Sequence, residues 1–297
     1  MFENAVDLVS RYTRPVHSIM RTYGSSKVFP GSATFFFVND DGVAITCRHV
    51  AENLMHAEHL NQQYQLFIQN RFRLKNDEHY EESMKQLEFQ AGYKTGSLIQ
   101  MKNSFVNCFD RITGFDCHLH PQYDLAIIRF KGFTQKLYQG FASFLKENII
   151  KQGKSLCRLG FPFPEFTNYQ YNYQSDEIEW TREGNPNSPS FPIDGIVTRL
   201  ISQYGRISGI EISTPGLRGQ SGGPLFDRNG VIYGMQSSTR HLHLGFDLEN
   251  FEIASGSSTK KITNTPFLHV GQCIHAEVIK SFLREHNIVF QESNPPV

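Results

Sequence analysis

The stretch Arg218-Gly219-Gln220-Ser221-Gly222-Gly223-Pro224-Leu225-Phe226 limits the possible folds more than any other part of this 297-residue chain. Gly219 permits a turn that aims its own N–H and that of Ser221 at one developing oxyanion. Gly222 and Gly223 leave space beside the hydroxyl for a substrate backbone. Pro224 works against a helix directly after the serine. Asp227-Arg228-Asn229-Gly230 then reads as a turn before the strand Val231-Ile232-Tyr233-Gly234-Met235. The fold must hold a serine on a loop between strands.

A serine hydroxyl is a poor nucleophile without a base, so the segment calls for a histidine and an orienting carboxylate elsewhere. Residues 31–38 and 43–50 flank the turn Asn39-Asp40-Asp41-Gly42 with apolar side chains, a β-hairpin pattern. His49 stands where the second strand ends, and Ala51-Glu52-Asn53-Leu54 can begin a short helix. A lone histidine there is more often just hydrogen-bonded at a strand end; the serine motif reverses that preference. Asp124 precedes the apolar run Leu125-Ala126-Ile127-Ile128-Arg129-Phe130, a buried strand by its pattern. An unpaired charge there is costly, and a histidine N–H would satisfy it. An aspartate capping the loop before a strand is an equally good reading of Asp124 taken alone.

The order His, Asp, Ser along the chain is the chymotrypsin-type order. Gly219-Gln220-Ser221-Gly222-Gly223 also satisfies the G-x-S-x-G elbow of α/β-hydrolases. That fold needs a helix after the serine, with acid and histidine downstream, and too little chain follows Ser221.

With the segments ITCRHV, YDLAIIRF and GQSGGPLFDRNGVIYGM, the sequence resembles the trypsin-like serine proteases, in particular the intracellular, HtrA-like branch. SLCRLGFPF (155–163) and DGIVTRL (194–200) resemble strands of the second barrel. The resemblance implies an all-β fold with peripheral helices: a chymotrypsin-like pair of six-stranded antiparallel β-barrels with the active site in the cleft between them. It implies His49 as general base, Asp124 as its orienter, Ser221 as nucleophile, and the amides of Gly219 and Ser221 as oxyanion hole. The domains expected are an N-terminal helical segment (1–28), a first barrel (29–150) with a helical insertion at 52–95, and a second barrel (151–297) with a C-terminal helix. No PDZ-like domain is expected.

Two positions depart from the family. Gln220 stands where zymogen-activated relatives have an aspartate, so activation by propeptide removal is not expected. Control would fall to a ligand, a protein partner or loop ordering. At the pocket floor the register places Pro215, which offers nothing to an arginine or lysine side chain. Gln236, Ser237 and Ser238 would give a partly polar pocket wall, pointing to a small or polar residue before the scissile bond.

Lys+Arg and Asp+Glu both total 29, so no global field favours nucleic acid or an acidic membrane. No basic segment followed by an apolar run opens the chain, and no stretch approaches the roughly 20 apolar residues of a membrane span. Five widely spaced cysteines, with Val50 where secreted relatives carry one, suit a reducing cytoplasmic setting. Cys47 reads as a buried thiol. Cys117-His118-Leu119-His120 and His241-Leu242-His243 lack a second cluster at ligand spacing, so neither a metal nor a cofactor is expected.

Residues 52–95 read as partly helical with a solvated face, or as a lid near the site. Residues 164–193 read as a hairpin and loop, and 240–265 as a polar loop, mobile around Gly256-Ser257-Ser258. The function expected is a serine endopeptidase acting on selected protein or peptide substrates. The rivals are an idle binding module on a protease scaffold and an esterase on the same fold.

Overall fold

Phe35, Phe36 and Phe37 and the apolar residues 125–128 are completely buried. The computed structural model, which describes residues 1–147, 149–203, 205–255 and 258–294, wraps its first sheet around them. Its strands are β1 (Thr13–Thr22), β2 (Val28–Phe37), β3 (Val43–Thr46), β4 (Leu98–Phe105), β5 (Gly114–Leu119) and β6 (Ala126–Lys131), in the order β4-β1-β2-β3-β6-β5. The two end strands meet through their side chains: the Phe105 and Phe115 rings lie 5.4 Å apart, and both pack on Phe130. The sheet therefore curls around an aromatic core. The β2–β3 hairpin turns as its sequence implies, with Gly42 at φ +72° and Asn39 Oδ1 accepting from the Asp41 and Val43 amides.

The second half supplies β7 (Ser143–Leu145), β8 (Ser155–Gly160), β9 (Tyr169–Asn172), β10 (Glu177–Trp180), β11 (Phe191–Gln203), β12 (Arg206–Ile212), β13 (Pro224–Phe226) and β14 (Val231–His243). After these come β15 (Leu248–Ser255), β16 (Ser258–Asn264), β17 (Phe267–His275) and β18 (Gln291–Ser293). Six of the strands run β13-β8-β11-β12-β17-β14, and β14 pairs back onto β13, closing a barrel. On its far side β14 takes β7 in parallel, and β7 takes β18. The all-β, two-barrel architecture with peripheral helices is the one the resemblance implies. One buried apolar cluster joins both halves: Phe35, Phe37 and Ile127 from the first, Leu159, Phe226 and Ile232 from the second.

Among the described residues four α-helices lie outside the barrels: α1 (Glu3–Ser10), α2 (Arg48–Arg73), α3 (Tyr80–Ala91) and α4 (Ala276–Glu285). α2 and α3 take up most of the Gly- and Pro-poor stretch 52–95, with α2 beginning before it at Arg48. α4 buries Ile279, Phe282 and Leu283 along one face.

The structure corrects three expectations. Residues 1–28 are not a helical segment: only α1 is helical, and 13–22 form β1, inside the first sheet. Pro15 is tolerated because it faces Thr34 of β2, while pairing with β4 begins at Val16. The polar loop 240–265 is instead the far end of β14 and the exposed β15–β16 ribbon. Gly256 and Ser257, where mobility is expected, lie outside the described residues. His49 does not end a strand: α2 starts at Arg48 and carries it in its first turn. The hairpin read in 164–193 is present as β9–β10.

Candidate active site

β3 ends at Thr46, and α2 begins two residues later with Cys47 in its capping position. Cys47 makes no side-chain cap, so the first amides of the helix need an acceptor from elsewhere. Asp124, two residues before β6, supplies it: its Oδ1 accepts from the His49 backbone N–H at 3.1 Å. The same carboxylate faces His49 Nδ1, with both oxygens 3.0 Å away. Ser237 Oγ donates to Oδ2 at 2.7 Å. Burial alone would raise the Asp124 pKa, but these hydrogen bonds outweigh it and hold the group at about 2. Asp124 is thus ionised at neutral pH. The bond to Asp124 is the main cause raising the His49 pKa, against a smaller opposing effect of burial. With Nδ1 engaged, the imidazole turns Nε2 outward.

Ser221 sits on the loop between β12 and β13. Its backbone carbonyl accepts from the Thr34 amide of β2 at 3.0 Å, and its Oγ faces the Ser237 carbonyl at 3.4 Å. Gly219 (φ +91°) and Gly222 (φ +86°) occupy the left-handed region. A Cβ on Gly222 would come within 2.1 Å of the Thr34 oxygen. Thr34 Oγ1 also donates to the Gly219 carbonyl (2.6 Å) and accepts from the Phe161 amide (3.1 Å). This fastens the serine loop to the first barrel. Among the described residues, the amides of Gly219 and Ser221 donate to no protein acceptor. Two unengaged donors on one turn can bind an oxyanion.

Gln220 is completely buried, and both ends of its amide are used. Oε1 accepts from the Leu217 amide at 3.1 Å, and Nε2 donates to the Phe191 carbonyl at 3.1 Å. A neutral side chain anchored this way needs no counter-charge to order the loop.

Beside Ser221 opens a cavity of about 520 Å³. Its walls are residues 215–218 and 236–239, with His241 and His269 at the rim. Pro215, Gln236, Ser237 and Ser238 therefore meet at one cavity, although the Ser237 hydroxyl itself is taken by Asp124. Gln236 is buried, its Oε1 bonded to Arg158 at 2.6 Å and its Nε2 to the Ser238 carbonyl at 2.7 Å. Neither the Arg158 contact nor the Ser237 hydroxyl's bond to Asp124 is legible in the sequence, because both partners lie far away in the chain.

Donor atoms of Cys47, His49 and Asp124 lie within 4.8 Å of one another, close enough to be tested as a metal centre. Burial, and then the Asp124 charge, push the Cys47 thiol well above its usual range. A protonated thiol donating to the Gln236 carbonyl at 3.2 Å is a structural contact and a poor ligand. All five cysteines are free. Among the described residues no helix is long and apolar enough to cross a membrane.

The sequence matches the family model described as trypsin-like peptidase domain over residues 31–235. Among solved structures, the HtrA-type protease AlgW with tripeptide aligns with 14% identity at TM-score 0.49, covering 97% of this chain and 65% of that one. A serine-to-alanine form of AlgW with decapeptide gives 13% identity and TM-score 0.48, covering 97% and 68%. The chain thus spans about 65% of the length of the first of these structures. No curated protein matches the sequence.

Proposed function

The chain belongs to the trypsin-like peptidase domain family, and from this we propose that it is a serine endopeptidase working through Ser221, His49 and Asp124. One observation carries the reading. A single carboxylate, Asp124, is gripped by the His49 ring, the His49 amide and the Ser237 hydroxyl, and the Ser237 carbonyl in turn faces Ser221 Oγ.

His49 Nε2 takes the Ser221 proton as Oγ attacks the carbonyl carbon of the scissile bond. The resulting oxyanion rests on the Gly219 and Ser221 amides. His49 then gives its proton to the departing amine, leaving an acyl-enzyme. Water, deprotonated by the same base, attacks the acyl carbon and frees Ser221. Asp124 stays ionised throughout and stabilises the imidazolium.

The substrate backbone has a place to lie. Beyond Gln236, β14 keeps β17 as its strand partner, and its other edge faces the serine loop. An extended peptide can add to that edge, placing one side chain in the cavity walled by Pro215, Gln236 and Ser238. Because no carboxylate among the described residues lines that cavity, cleavage after lysine or arginine is disfavoured. Selected protein targets in a reducing, cytoplasmic setting suit the free thiols.

A fluorophosphonate probe should label Ser221 in the wild type and nothing in Ser221→Ala. Asp124→Asn should lower turnover by on the order of 10⁴ while the chain stays folded. No labelling of the folded wild type would support the idle-scaffold reading. Turnover confined to esters would support the esterase reading.

A further inference from the structure

Arg158 of β8 is completely buried, and every acceptor it has is neutral. It donates to Gln236 Oε1 (2.6 Å), Thr214 Oγ1 (2.6 Å), the Thr214 carbonyl (3.0 Å) and the Pro215 carbonyl (3.0 Å), and its Nε has no partner. Among the described residues no carboxylate pairs with it, and the ionisable neighbours that affect it are the thiols of Cys273 and Cys157. Arginine is always charged at physiological pH, and a buried charge without a counterion is expensive. Its place is informative: Pro215 and Gln236, which it touches, are walls of the cavity beside Ser221.

Gln236 passes that charge to the cavity. Its carbonyl end is held by the guanidinium, so its NH₂ end must face the other way. One Nε2 hydrogen goes to the Ser238 carbonyl. Nε2 also lies against Gly216, where a Cβ would sit within 2.3 Å of it. The Gly216 backbone thus packs directly on the Gln236 amide, and the amide donor polarised by Arg158 forms part of the cavity wall. The exposed Arg218 adds a second positive charge to the lining, while the His241 and His269 rings meet Nδ1 to Nδ1 across β14 and β17. Among the described residues no aspartate or glutamate lines the cavity.

We propose that the cavity receives an acidic side chain, glutamate or aspartate, as the residue just before the scissile bond. The substrate carboxylate accepts from Gln236 Nε2 and is the counter-charge that Arg158 lacks. This rests on the endopeptidase reading and replaces the small or polar residue expected from the sequence with a charged one. A glutamine side chain of equal size can turn its Oε1 to the same donor but brings no charge to offset Arg158, and is the poorer substrate on that account.

The test is a set of fluorogenic peptides identical except for Glu, Asp, Gln, Asn, Ala or Lys before the cleaved bond, with fluorophosphonate labelling run alongside. The expected result is a kcat/KM for Glu or Asp at least about tenfold above the matching amide. Gln236→Leu should bring the ratio of kcat/KM for the Glu peptide to that for the Gln peptide down to within about threefold of one. Equal rates for Glu and Gln, or a clear preference for Ala, Gln or Lys, would overturn the proposal. So would labelling of Ser221 without cleavage of either acidic peptide. Loss of labelling in the wild type counts against the endopeptidase reading itself. If Gln236→Leu fails to fold, the wild-type ratio of Glu to Gln still decides.

Discussion

At the scale of single residues, the site sets up two acid transitions that can be told apart. In the proposed mechanism His49 must be neutral to take the Ser221 proton, and Asp124 raises its pKa above the ordinary 6.5. Activity should therefore fall as pH drops through that raised value, with the protein still folded. The stability it contributes has the opposite sense: a raised histidine stabilises fully below 6.5 and loses this as pH climbs through its folded value. His17 and His275 behave differently, since burial lowers both to about 4. The unfolded chain binds more protons than the native one between 6.5 and 4, so stability declines across that window. A pH series of peptide turnover beside urea midpoints should show activity lost first and recovered on return to neutral pH. A flat turnover profile from pH 5 to 8 would remove His49 from the role of base. Of these residues, Ser221, His49 and Asp124 were legible from their flanking patterns. Ser237 and Arg158 were not, because a hydroxyl after a strand and an arginine within one look ordinary until their distant partners are known.

At the scale of elements, Asp176 on the β9–β10 turn ties both insertions to β1. It pairs with Arg21 (2.9 Å) and Arg71 (3.2 Å) and accepts from Tyr64 Oη (2.8 Å) and Tyr171 Oη (2.5 Å). Arg21 is almost completely buried. Asp176→Ala strands that charge and should cost about 3 kcal/mol. In calorimetry this lowers the melting temperature by roughly 6–12 °C. Glu177→Ala removes the half-exposed pair with Lys102 and should cost under about 1 kcal/mol. Equal losses in the two variants would contradict the latch. The same packing explains why β1 was misread. His17 and Arg21 sit at buried positions of the strand, where His17 stacks on Phe166 at 4.1 Å and Arg21 meets Asp176. Both partners come from the 164–193 insertion, so the strand's outer face is polar yet covered, and its alternation is disguised. The start of α2 was hidden for a related reason: its cap, Asp124, lies 75 residues downstream. The β15–β16 ribbon has no core beneath it to print a pattern on the sequence.

At the scale of the whole molecule, the proposed catalytic groups are divided between the barrels, and the core is not. The apolar cluster that includes Phe35 and Ile127 also includes Phe226 and Ile232, and Thr34 bonds the serine loop directly to β2. Heat should therefore melt both halves together. Near-ultraviolet circular dichroism and the loss of Ser221 labelling should share one midpoint. Two separated transitions would mean that the barrels are independent.

The position of His49 at one tip of α2 has a mechanical consequence. At about 1.5 Å per residue, its 26 residues make a rod of roughly 39 Å. Tyr64 and Arg71 fix its distant half to Asp176. Pivoted there, a tilt of about 2° carries the imidazole about 1 Å from the serine, a displacement that costs on the order of 10² in rate. The helix is a lever with a long arm, and whatever grips its remote end works on the base with that mechanical advantage.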